Sequence, residues 1–162
     1  MVEMSVQRVG IDARRNAVLI LADAEGRRLL PIYIGFYEAQ SIAMAISGED
    51  IGRPLTHDLM LSAIQALGGR VDEIRITRLV DRTFYAAVFI SVVGSVVEVD
   101  SRPSDAVALA VRASARILVA EEVLEVAQVV ETDADDDEED RVKFRDLLEQ
   151  IEFEDDTPED ES

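Results

Sequence analysis

Residues 51–60 read IGRPLTHDLM and residues 100–106 read DSRPSDA, and the echo between these two stretches decides how the chain is organised. Each sets an Arg-Pro pair ahead of an apolar run, Arg53-Pro54 in the first and Arg102-Pro103 in the second. Each then carries an aspartate, Asp58 or Asp105. Proline fixes φ near the helical value and lacks an N–H that a first helical turn would leave unbonded, so both stretches predict a helix start. Thr56 and Ser104 are the expected caps, because a hydroxyl there can accept from the free N–H groups of the first turn. The first stretch also holds His57, the only histidine of the 162-residue chain.

Outward from these helix starts, each half opens with three strands. Residues 4–12, 17–22 and 28–34 read as strands, with the AEGR turn at 24–27 making a hairpin of the last two. Pro31 marks an edge or a bulge. Residues 36–47 form a helix whose apolar stripe is Ala39, Ile42, Ala43 and Ile46. The helix opened by residues 51–60 runs to about Leu67, with Leu59, Ala63, Ile64 and Leu67 on one face and Gly68-Gly69 as its stop. In the second half, residues 71–79, 84–93 and 96–100 read as an antiparallel meander. The second Arg-Pro helix, 104–113, is apolar on nearly all sides and should be the most buried; a short strand at 117–119 and a helical turn at 121–127 close the core. Strands 4–12 and 117–119 are expected at sheet edges. Tyr33, Tyr37 and Phe84 read as strand and core residues before base-stacking ones. The fold class is α+β, a largely antiparallel sheet with packed helices and a weak internal repeat of two three-strand-plus-helix halves.

Composition bounds the rest. With 48% hydrophobic residues the chain can bury one core. The division expected is a domain over residues 1–130 and an acidic, mostly disordered tail over 131–162 with a short amphipathic helix at 140–151. That tail carries 17 acids and 3 bases, which leaves residues 1–130 with 17 acids and 13 bases, net −4. Fifteen of the sixteen bases are arginine, which fits either a GC-rich genome or a surface adapted to concentrated salt. No apolar run approaches the roughly 18 residues needed to cross a bilayer, and the first ten residues lack a signal-peptide pattern. Cysteine is absent, so thiolate chemistry and cysteine-held zinc are excluded. A cytoplasmic location is expected.

Five ordered motifs carry a family resemblance: LPIYIGFYEAQSIAMAI at 30–46, RPLTHDLM at 53–60, RTFYAAV at 82–88, RPSDAVALAVR at 102–112 and ILVAEEVL at 117–124. Over roughly residues 4–126 the chain resembles the bifunctional nuclease domain family. The stretch EDIGRPLTHDL is similar to that of salt-adapted archaeal members. The resemblance implies hydrolysis of phosphodiester bonds in DNA or RNA, with nucleic acid as substrate.

Phosphodiester cleavage needs an activated water and a positive group to take up transition-state charge. His57, Asp58 and Asp105 are therefore the candidate catalytic residues. Asp58, Asp105 and Glu38 are candidate ligands for Mg²⁺ or Mn²⁺, and Arg53 and Arg102 candidate phosphate grips. A helix N-terminus disfavours the imidazolium and so favours a neutral His57 able to act as base or ligand. Each residue also has a structural reading: aspartates in first turns complement the helix dipole, and arginines can clamp them. There is no GxxxxGK, HExxH or GxSxG motif, and residues 1–130 lack a basic stripe, which argues against a strong electrostatic grip on nucleic acid. The alternative is a non-enzymatic binding or assembly module whose acidic tail recruits a partner. Exposed strand edges also predict a homodimer or a larger homo-oligomer.

Overall fold

A computed structural model describes residues 1–127 and 130–131. Three strands, β1 (Val2–Ile11), β2 (Ala17–Asp23) and β3 (Arg28–Ile34), lead into helices α1 (Phe36–Ser47) and α2 (Thr56–Ala66). Three more, β4 (Gly69–Val80), β5 (Thr83–Val92) and β6 (Ser95–Ser101), lead into α3 (Pro103–Ala113), followed by β7 (Arg116–Val119), α4 (Glu121–Val126) and β8 (Val130–Glu131). The expected tail and its 140–151 helix lie outside the described residues.

All eight strands form one sheet in the order β6-β5-β4-β7-β1-β2-β3-β8. Every neighbouring pair is antiparallel except β4 with β7. The chain is thus α+β: two three-strand meanders flank β7, which joins them, and each meander is followed by an Arg-Pro helix. Turn chemistry explains the second meander. Its two hairpins close through Asp81-Arg82 and Val93-Gly94, all four with positive φ, the twist that two-residue hairpin loops require. In the first meander, the Asp12 carboxylate accepts from the Arg14 and Asn16 amides at 2.9 and 2.8 Å, and Asp23 does the same for Arg27 and Arg28.

The strands expected at the edges are interior. β1 lies between β7 and β2, and β7 between β4 and β1, because four residues of β7 can bridge the meanders and so satisfy both of their inner margins. Among the described residues the free edges are β6 and, past the two-residue β8, residues 30–34 of β3. Pro31, by contrast, is where an edge was expected: β8 pairs only with Arg28 and Leu29, so no described strand needs an N–H from Pro31 on that side.

Alternate strand residues meet the helices in one core, with Leu19, Leu21, Leu30, Ile32, Ile74 and Ile76 facing α1 and α3. α3 is the most buried helix, its run from Ala106 to Ala110 at most 2% exposed. Its alanines let it lie close to the sheet. Among the described residues, no helix is long and apolar enough to cross a membrane.

Four local expectations are corrected. Neither Thr56 nor Ser104 is the cap: the chain is extended one or two residues earlier, at Leu55 (φ −82°, ψ 177°) and Arg102 (φ −71°, ψ 146°). Asp58 explains the first case, since its Oδ2 accepts from the Leu55 N–H at 2.8 Å and fixes the helix start there. The inner face of α2 is His57, Leu61 and Ile64, whereas Leu59 and Leu67 are 64% and 82% exposed. Counting apolar residues alone misses the phase because polar His57 occupies the first inward position, and the most buried one. α1 is likewise turned so that Ala39, Ser41 and Ile42 are buried and Ile46 is exposed. Tyr33 and Tyr37 are exposed, not core; Phe84 packs on the core as expected.

Candidate functional site

The phase of α1 and α2 is what makes a site. Spacings of three residues on α1 and seven on α3 put Glu38 with Ser41, and Asp105 with Arg112, on single helix faces. His57 enters between them from the first turn of α2. Its Nδ1 lies 2.8 Å from Ser41 Oγ and its Nε2 lies 3.0 Å from Asp105 Oδ1. Arg102 then donates through Nε to Asp105 Oδ2 at 2.7 Å and through a terminal nitrogen to Glu38 Oε1 at 2.9 Å. Ser41, His57, Asp105, Arg102 and Glu38 form a ring of contacts that returns to α1.

Electrostatics assign the protons. Burial works against ionisation of Asp105, but hydrogen bonds from Arg102 and His57 outweigh it and hold the carboxyl below its ordinary range. Asp105 raises the Arg102 guanidinium in turn, with help from Glu38. A carboxylate only accepts, so His57 Nε2 donates to it. In the neutral ring Nδ1 then accepts from the Ser41 hydroxyl. Both ring nitrogens are engaged and the His57 side chain is 9% exposed, while the Arg102 side chain is 65% exposed. Solvent therefore meets Arg102 and its carboxylates; the imidazole stands behind Asp105 and orients it.

Asp58 points elsewhere. Its Oδ1 accepts from Arg112 Nε at 2.6 Å, and Arg112, 7% exposed in its side chain, also donates to the Ala108 and Ser41 carbonyls at 2.9 and 3.2 Å. The hydrogen bond from Arg112, then that from the Leu55 N–H, holds the Asp58 carboxyl below its ordinary range. This is a second tie among the three helices, and sequence reading missed Arg112 as its centre. The signal was there: an arginine seven residues after Asp105 on a helix otherwise apolar. Ser41 was missed too, as a polar residue inside an apolar run. Arg53 is exposed and pairs with no carboxylate among the described residues.

A cleft of about 610 Å³ opens over the ring, lined by Glu38, Ser41, His57, Arg102 and Asp105 together with Tyr37, Gln40, Met44, Ile51, Leu55, Thr56 and Met60. Among the described residues no three of His, Cys, Asp and Glu come together as a metal-holding group. Glu38 and Asp105 share the cleft but are both engaged by Arg102, and Asp58 is engaged by Arg112. As arranged, these residues do not fit a resident divalent ion.

Comparison with known proteins agrees with the motifs. An uncharacterised protein of Mycobacterium tuberculosis is 40% identical over 157 residues, covering 92% of this chain and 94% of its own length. Bifunctional nuclease 1 of Arabidopsis thaliana is 32% identical over 105 residues, and bifunctional nuclease 2 of rice is 29% identical over 110. These matches cover 63% and 66% of this chain but 32% and 34% of the plant proteins, so the chain spans about a third of their length. The profile of the bifunctional nuclease domain matches residues 19–132, most of the chain, and the chain therefore belongs to the bifunctional nuclease domain family.

Proposed function

We propose that this chain is a nuclease, hydrolysing phosphodiester bonds in DNA or RNA at the cleft over Arg102. The observation that carries the reading is a solvent-facing guanidinium fixed by two carboxylates, one of them backed by a buried imidazole. Phosphoryl transfer depends mainly on positioning and charge stabilisation, which this arrangement supplies. Arg102 takes the charge of the phosphate oxygens. Asp105 accepts the proton of the attacking water, the P–O bond to the leaving oxygen breaks as the water oxygen adds, and the leaving oxygen takes its proton from bulk water at the open mouth of the cleft. His57 keeps Asp105 aimed, and Glu38 fixes the other side of Arg102. Arg53, exposed and uncommitted, is a second grip on the strand. Mg²⁺ or Mn²⁺ would reach Glu38 and Asp105 only after Arg102 had moved, so no step is routed through a metal. A cytoplasmic setting goes with this reading.

The test is cleavage of end-labelled RNA and DNA oligomers by the purified full chain, with Mn²⁺ and with chelator. Asp105→Asn, Arg102→Ala and His57→Ala should each lower the rate by about a hundredfold or more. Asp58→Asn should lower it only as far as it lowers the folded fraction. A parent chain that cleaves neither polymer above background in either condition overturns the reading.

The ion pairs favour a second reading, the non-enzymatic binding or assembly module, because each of Glu38, Asp58 and Asp105 is held by an arginine in the manner of a clamp. It is what remains if cleavage is absent. Under either reading we infer a homodimer or larger homo-oligomer, supported by β6: its outer edge pairs with no described strand, and Val96, Val97 and Val99 are 64%, 46% and 44% exposed. Light scattering should give at least twice 17.9 kDa, and Val97→Lys should lower it. A monomer at high protein concentration and high salt refutes this.

A further inference from the structure

The proposed chemistry uses five of the residues that line the cleft and leaves the others unexplained. Those are largely apolar and open: Tyr37 is 80% exposed, Ile51 44% and Met60 39%, and Met44 lines the cleft with them. Gln40 lines the same cleft, and its side-chain amide makes no hydrogen bond among the described residues. An aromatic ring left in water, meeting only the Phe36 ring edge-on, in a cleft that also holds two thioethers and an unused amide, is costly for a surface that only needs solubility. It is well suited to a flat, partly polar ring with donors and acceptors at its edge. The guanidinium of Arg102 lines the same cleft, whose volume of about 610 Å³ is ample for a small-molecule fragment. Apolar wall, edge-reading amide and phosphate-binding cation in one cleft match base, base edge and backbone of one nucleotide.

Resting on the nuclease reading, we propose that this cleft takes a single unpaired nucleotide, with its base stacked on Tyr37 and its phosphate on Arg102, so that Tyr37 selects single strands over duplex. A base in a duplex is stacked on both faces and its pairing edge is occupied, so it cannot enter a cleft between two helices without leaving the helix. Stacking must also supply the affinity, because residues 1–130 carry a net charge of −4 and cannot hold a strand by phosphate neutralisation alone. Salt dependence is then shallow. Two phosphate contacts on a single strand, at Arg102 and Arg53, predict a loss of only about sevenfold between 50 and 200 mM salt.

Fluorescence anisotropy decides, using the full chain in chelator with a labelled ten-nucleotide DNA strand, its duplex, and an abasic strand of the same length. The single strand should bind tightest. Tyr37→Ala should weaken it about 5- to 150-fold, the equivalent of one base stack, without changing the duplex or the abasic strand. Tyr37→Phe should bind as the parent does, and both variants should melt with it because the ring is exposed. Single-strand binding unchanged in Tyr37→Ala, or duplex binding as tight as single-strand binding, overturns the subsite. If Arg102→Ala still weakens binding in that case, the nuclease reading stands without it. If the parent binds no strand of any kind, both fall.

Discussion

Replacing Asp58 by asparagine separates architecture from chemistry. The change keeps shape and one acceptor but removes the negative charge opposite Arg112, whose side chain is 7% exposed. Breaking a fully buried ion pair costs roughly 3–5 kcal/mol. The Asp58 side chain is 41% exposed, so water screens part of the loss, and about 2 kcal/mol is the expected cost. For a chain of this size that lowers the thermal midpoint by about 4–8 °C. Arg102→Ala, which breaks pairs that are far more exposed, should cost under about 1 kcal/mol. Circular dichroism melts of the two variants should therefore rank opposite to their cleavage rates. Acid provides a second arm. A carboxyl held below its unfolded value of about 3.9 adds stability above that pH and loses it as pH falls through the folded value, so parent and variant should converge below about pH 4. Asp58→Asn melting within a degree of the parent, with cleavage abolished, would refute the assignment of Asp58 to the clamp.

Gly35→Ala should act on the site without unfolding it: φ is −70°, so alanine is tolerated, but its Cβ would lie 2.0 Å from Glu38 Oε2 and push that flexible carboxylate off Arg102. Cleavage should fall several-fold while the midpoint stays within about 3 °C, as expected for a partly exposed ion pair; a shift beyond 8 °C would contradict this. On α2, Leu59→Ala should change stability by less than about 0.5 kcal/mol, whereas Ile42→Ala on α1 should cost about 2–5 kcal/mol because that side chain is fully buried. Equal urea midpoints for the two would undo the helix faces described above.

Element type and order were legible because hydrophobic period and turn residues are local: all six long strands and α1 to α3 fall where alternation, Gly and Arg-Pro put them. Helix phase was less legible, since on α1 and α2 the inward positions belong to Ser41 and His57, which pair with groups far along the chain. The bringing together of Glu38, His57, Asp105 and Arg102 in one cleft follows the reading of two matched helix starts. The separation of Asp58 from them does not, because it depends on Arg112 reaching across from α3. Strand neighbours were misjudged for the same reason. Nothing near residues 116–119 says that so short a strand bridges two meanders.

That bridge has a consequence for how the molecule is born. β1 to β3 and β4 to β6 are each complete hairpin runs, yet neither meander touches the other through the sheet until Arg116–Val119 pairs with both, at Val2 to Met4 and at Glu73 to Ile76. The first of these pairings joins opposite ends of the described chain, so the largest loop closure falls on one late event. A nascent chain ending before residue 116 holds two half-sheets with open inner margins, the state most prone to pairing with a neighbour. Four residues near the end of the fold thus decide whether what precedes them becomes one molecule or the start of an aggregate.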